Sequence, residues 1–214
     1  MVSPIDNKGF AKWFGKSKVV DENGQPLIVF RGEYGEPEGD SFQSRLPSLS
    51  FGTLRAANIY ALHPNNSRDV PVSPRIYPAY LKMERPFLEN RADTFLDLSV
   101  VDDSLGREEA LRIARKFSAA IQSTDNWASN FSRGGSVDML LQSDPSNVRE
   151  LYFDAYALFD DLAEVQRLTK LGYDGAIHIG NGETAFEIEY KVFRVENARS
   201  ALFSARVNAL PQAI

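Results

Sequence analysis

Ala185-Phe-Glu-Ile-Glu-Tyr-Lys-Val-Phe193 alternates polar and apolar side chains, the two-residue period of a β-strand. Working back from it, residues 174–179 predict a second strand just upstream. Before these lies a helical middle. Residues 107–121 carry apolar side chains at helical spacing, and so does a longer run over 147–171, which stops at Gly172. The N-terminal third predicts strands again. Phe10, Trp13 and Phe14 are spaced as one face of a short helix ending at Gly15, and Asn23-Gly24 between apolar runs signals a hairpin of strands near 18–20 and 27–31. Residues 33–47 predict a long loop, 48–53 a short strand, and 54–62 a helix ended by His63-Pro64-Asn65-Asn66. Residues 76–83 predict another strand, placed at a sheet edge by Pro78. No helix regularly separates successive strands, so the order favours α+β over a doubly wound sheet, with one domain over residues 1–214 and a helical middle at about 104–171.

Composition narrows the chemistry. The 214 residues suffice to bury roughly 70% of the unfolded surface. With 43% hydrophobic and 25% charged residues, disordered and fibrous classes are excluded. No apolar run reaches the roughly 20 residues that span a bilayer, and the first residues lack a signal-peptide core, so the expectation is a cytoplasmic protein without membrane contact. The absence of cysteine removes disulfides, thiolate zinc sites and a cysteine nucleophile. Two histidines are too few for a histidine-rich metal centre, and a net charge of −5 is not that of a general nucleic-acid binder, although a local patch is compatible with it. The chemistry therefore falls to carboxylates, Arg, Lys, Ser, Thr and Tyr.

Four features could carry it. On a strand, Glu187 and Glu189 share a face about 6.5–7 Å apart, and two such carboxylates can divide labour between stabilising positive charge and accepting a proton. The plain alternative is an edge strand with Glu187, Glu189 and Lys191 in solvent, opposite Phe186 and Ile188. Gly180-Asn-Gly182-Glu-Thr-Ala185 fits the letters of a dinucleotide fingerprint, but a strand follows where a helix must open, so it reads as a loop. Arg31, ending an apolar strand before Gly32, can hold a phosphate while the glycine admits a ligand close to the backbone. In Ser48-Leu-Ser50-Phe-Gly-Thr53, a hydroxyl-rich strand, Thr53 taken singly caps the following helix. His178 reads as a strand residue with a local partner, and His63 as a helix end.

In their order these segments resemble a known family. Residues 10–32, with Trp13-Phe14-Gly15-Lys16-Ser17, Asn23-Gly24 and Val29-Phe30-Arg31-Gly32, resemble the opening of the ADP-ribosyltransferase-like domains of phage and mobile-element polyvalent proteins. Phe51-Gly52-Thr53, Tyr77-Pro-Ala-Tyr-Leu-Lys82, Gly172-Tyr-Asp-Gly175, Glu189-Tyr-Lys-Val-Phe193 and Ser200-Ala201 continue the likeness over about residues 10–204. Where many relatives show Tyr-His-Gly-Thr, this chain reads Phe30-Arg31-Gly32-Glu33, which moves it toward the arginine-serine-glutamate type; the Ser-Thr-Ser strand of that type is replaced by Ser50-Phe-Gly-Thr53.

The resemblance implies a split-sheet fold that cradles NAD and transfers its ADP-ribose to a macromolecular acceptor, with protein arginine favoured and nucleic acid not excluded. By that likeness Glu189 is the catalytic glutamate, Glu187 completes a Glu-x-Glu pair, and Arg31 contacts a ribose or phosphate beside Gly32. Ser50 or Thr53 fills the hydroxyl position, Tyr60 or Phe51 stacks on nicotinamide, and the loop 180–184 faces the acceptor. No metal is implied. The same residues could serve an NAD glycohydrolase, and the same fold a binding module without turnover.

Overall fold

The computed structural model of the chain describes residues 8–33, 46–62 and 74–202. The elements run α1 (Lys8–Phe14), β1 (Val29–Glu33), β2 (Leu49–Phe51), α2 (Leu54–Leu62), β3 (Arg75–Leu81), β4 (Pro86–Glu89) and β5 (Phe95–Asp97). A helical stretch follows with α3 (Leu98–Leu105), α4 (Arg107–Lys116), α5 (Ser118–Gln122) and α6 (Val137–Ser143). The chain ends with β6 (Tyr152–Asp154), α7 (Tyr156–Phe159), α8 (Leu162–Lys170), β7 (Gly175–Ile179), β8 (Ile188–Val192) and β9 (Ala198–Ser200). The class is α+β, as the order of periodicities predicts.

Two sheets form the strand core among the described residues. One has the order β2-β8-β7-β4, antiparallel except for the parallel β4–β7 pair; the other has the order β1-β3-β9 and is antiparallel. They meet at one point, where Phe30 of β1 and Gly52 after β2 exchange two backbone hydrogen bonds of 2.8 Å. Alternation along the strands assigns each face of the four-stranded sheet to a different core. Ala176 and Phe193 belong to a cluster with Leu98, Ile113, Phe153 and Phe159 of the helical stretch. Their neighbours Ile177 and Val192 belong to a cluster with Val29, Phe51 and Leu81, packed between the sheets.

The structure corrects the sequence reading in four places. The helix expected over 147–171 is interrupted by β6, which Asp154 ends by accepting from the backbone N–H of Tyr156, two residues on, while Asp161 starts α8 anew as its cap by accepting from that of Glu164. Residues 18–20 form no strand; the turn at Gly24 closes a single bridge between Val20 and Pro26, and the sheet partner of β1 is β3. Pro78 lies in β3, the central strand of its sheet. Its neighbour Phe30 directs both backbone groups to Gly52, so no N–H is required of Pro78 on that side, and its carbonyl accepts from Ala201. Lastly, β8 is flanked by β2 and β7 and is no edge strand, so Lys191 is buried at 1% exposure while Phe186 stands in solvent at 94%. The predicted loop at 33–47 falls largely, and His63 wholly, outside the described residues.

Candidate active site

The junction of the two sheets positions a chain of polar groups. Beside the Phe30–Gly52 contact, Arg31 of β1 reaches across to β2: Nη1 donates to the Ser50 carbonyl at 3.1 Å, and Nε donates to Glu33 Oε1 at 2.6 Å. Ser50 pairs with Lys191 on β8, so its hydroxyl stands beside the carboxylate of Glu189, the residue two positions before Lys191 on the same face, and helps to hold it ionised. Arg31, Ser50 and Glu189 thus stand in series across three strands.

Glu189 faces the helical stretch. Tyr156 of α7 donates its phenol to Glu189 Oε2, and Lys191 Nζ lies 3.6 Å from Oε1. Lys191 in turn donates to Asp160 at 2.8 Å and stands 4.5 Å from the centroid of the Tyr156 ring. Burial pushes the Glu189 carboxyl up, but the Lys191 charge, His178 and the hydrogen bonds from Tyr156 and Ser50 outweigh it, so it is held below the ordinary glutamate range. At 15% side-chain exposure, Glu189 is therefore a poised anion. Burial and the Glu189 charge both push the Tyr156 phenol up, which keeps it a proton donor.

His178, opposite Glu189 on β7, is fully buried. Its Nδ1 lies 2.8 Å from the Ile179 carbonyl oxygen, which can only accept, so the proton sits on Nδ1. Nε2 is buried without a hydrogen-bond partner, and burial lowers the imidazole's affinity for a second proton.

Glu187 has a different set of partners. It follows a short turn at Gly182–Thr184 and an exposed Phe186 held at φ +72°, a conformation that L-residues seldom adopt. Backbone bonds from Gly180 N–H to Glu187 O (2.7 Å) and from Glu187 N–H to Thr184 O (3.0 Å) fix the approach. Its carboxylate accepts from the Thr53 hydroxyl at 2.5 Å and from Arg55 at 2.6 Å, and these two contacts hold it below the ordinary range. Thr53 also accepts from the Ala56 N–H, so it caps α2 as predicted.

The structure sets the two hydroxyls apart: Thr53 is hydrogen-bonded to Glu187, and Ser50 stands beside Glu189. Gly32 answers to packing: a Cβ there would lie 2.0 Å from the Ala57 carbonyl oxygen of α2, so the glycine admits a helix backbone. Phe51 is 2% exposed and points into the core between the sheets, on the face opposite Ser50. Tyr60 is half exposed on α2. A groove of about 760 Å³, lined by Leu54, Arg55, Asn58, Ile59, Leu62 and Glu183, flanks the site on its α2 side.

No protein-family model, curated protein or solved structure matches this chain.

Sequence reasoning missed Tyr156, Asp160 and Arg55. The first two sit in the stretch read as one continuous helix, and only the interruption by β6 brings them over β8. No helix among the described residues is long and apolar enough to cross a membrane, and none of their His, Asp and Glu side chains cluster in a group able to hold a metal ion.

Proposed function

We propose that this chain is an NAD-dependent mono-ADP-ribosyltransferase that cleaves the nicotinamide–ribose bond and passes ADP-ribose to a guanidinium acceptor on protein. The observation that supports it is the set Arg31–Ser50–Glu189 at the junction of the two sheets: a fixed cation bonded to the Ser50 carbonyl and, beside Ser50, a largely enclosed, ionised carboxylate.

Opening the glycosidic bond develops positive charge on the ribose, as in glycoside cleavage. An anion preorganised in a half-enclosed site stabilises that charge more in the transition state than in the ground state, and Glu189 meets this description without reorganising. Arg31, locked by Glu33 and the Ser50 carbonyl, supplies a rigid cation for the pyrophosphate of the dinucleotide. Glu187, outside the strand proper and beside the α2 groove, accepts a proton from the incoming nucleophile.

The test uses NAD labelled separately in its nicotinamide and adenylate halves, with a bacterial lysate as acceptor source. Release of nicotinamide together with labelled protein supports transfer. Free ADP-ribose alone would indicate a glycohydrolase, and dinucleotide binding without nicotinamide release would indicate a binding module. Glu189→Gln preserves shape and removes the charge, and should lower nicotinamide release by at least about a hundredfold.

A further inference from the structure

Arg55 occupies a place that the physics of its own helix does not request. It lies in the first turn of α2, which contains no acidic residue, so its positive charge sits at the positive end of the helix dipole. Its stem is largely in solvent, with 63% of the side chain exposed, yet its Nη1 is fixed 2.6 Å from Glu187 Oε1. The other carboxylate oxygen is taken by Thr53, so the guanidinium occupies the remaining face of Glu187. Among the described residues Arg55 is the arginine that Glu187 holds; in the helical stretch Arg107 and Arg149 pair with Asp102, and Arg112 with Glu164.

We propose that Arg55 is itself an acceptor, and that the protein ADP-ribosylates its own Arg55. The inference rests on the transferase reading: if Glu187 takes the proton from an acceptor guanidinium, then a guanidinium is already seated on it, on the wall of the adjoining groove. The reach is compatible: the Gly180 N–H to Glu187 O bond carries the β7–β8 ladder one residue past Ile188, so Glu187 and Glu189 keep the strand spacing of about 6.5–7 Å, leaving the sugar over Glu189 and the Arg55 tip at Glu187 within one side chain's swing. In the step, an Arg55 nitrogen gives a proton to the Glu187 carboxylate and its electron pair forms a bond to the anomeric carbon of NAD's nicotinamide ribose. The bond from that carbon to the nicotinamide nitrogen breaks, its electron pair neutralises the pyridinium ring, and nicotinamide leaves. Glu187 then returns the proton to water. The product carries two phosphates at the start of α2, so the modified chain blocks its own groove after one event, giving a stoichiometry of one.

The experiment incubates the whole protein alone with adenylate-labelled NAD, measuring nicotinamide release and label on protein, and maps the label with a protease that does not cut at arginine. The expected result is up to one ADP-ribose per chain on Arg55, reduced at least about tenfold in Arg55→Lys and in Glu187→Gln. Nicotinamide release with label elsewhere, or with free ADP-ribose alone, overturns the assignment and leaves the NAD-cleaving reading standing. Equal labelling from free ADP-ribose in place of NAD shows non-enzymatic glycation and overturns it as well. A folded protein that releases no nicotinamide overturns both.

Discussion

Tyr156 and Glu189 are 33 residues apart in sequence and share a hydrogen bond, the phenol donating to Oε2. The helical stretch therefore reaches the proposed catalytic carboxylate directly. Tyr156→Phe removes this donor while leaving Ser50 and Lys191 in place. Loss of a hydrogen bond to a buried charge costs about 2 kcal/mol, and the Glu189 pKa should rise. The acid limb of the pH–rate profile for nicotinamide release moves to higher pH; an unmoved limb would show that Tyr156 only packs.

Lys191 is buried between Asp160 and Glu189. Lys191→Met leaves two carboxylates facing one another without their shared cation. Because Asp160 is 30% exposed, the penalty falls below that of a fully buried pair, at about 2–3 kcal/mol by urea unfolding. The double variant Lys191→Met/Asp160→Asn should recover part of the loss, since one unpaired charge is then gone.

A methyl group at position 32 has no space. Gly32→Ala forces α2 away from β1, because the obstacle is the Ala57 carbonyl and cannot rotate aside. The expected cost is about 3 kcal/mol, read from the unfolding midpoint. A neutral result would mean that α2 slides freely on β1.

Stability should fall toward acid in two stages. The folded-state pKa of His178 is lowered by burial, so its contribution is complete above the ordinary histidine value near 6.5 and declines as pH falls through that value toward the folded one. Glu187, Glu189, Glu164 and Asp102 are also depressed, Asp102 to about 2, so their contributions are complete above about pH 4.5 and fade below it, for Asp102 down to about pH 2. Denaturant midpoints between pH 7 and pH 5 isolate the first stage. His178→Leu should remove that slope and, because Nε2 already lacks a partner, change stability at pH 7 by no more than about 1 kcal/mol.

What could be read in advance follows the range of the forces involved. Helix α2, its Thr53 cap and the turn at Gly24 are set by neighbours within a few residues, and all three were legible. The α+β class was legible from where the two-residue and 3.6-residue periods change over. The burial of Lys191 was not, because a strand's alternation does not say whether its polar face meets water or an anion such as Asp160 supplied from 31 residues away. The break at β6 escaped because the spacing of apolar residues does not register the turn that Asp154 makes with the Tyr156 N–H or the cap that Asp161 gives to α8. Arg31, Ser50 and Glu189 were named individually, but the sequence gives no measure of their spacing in the fold.

Strand β7 hands successive side chains, Ala176 and Ile177, to opposite interiors. Excising residues 98–170 would bare an entire apolar side of that strand and of its partner β8, and would take Asp160 away from the Lys191 ammonium. The helical stretch is thus no detachable accessory: heat or denaturant should melt both interiors together, and any minimal fragment keeping Glu189 in place must keep Tyr156 as well.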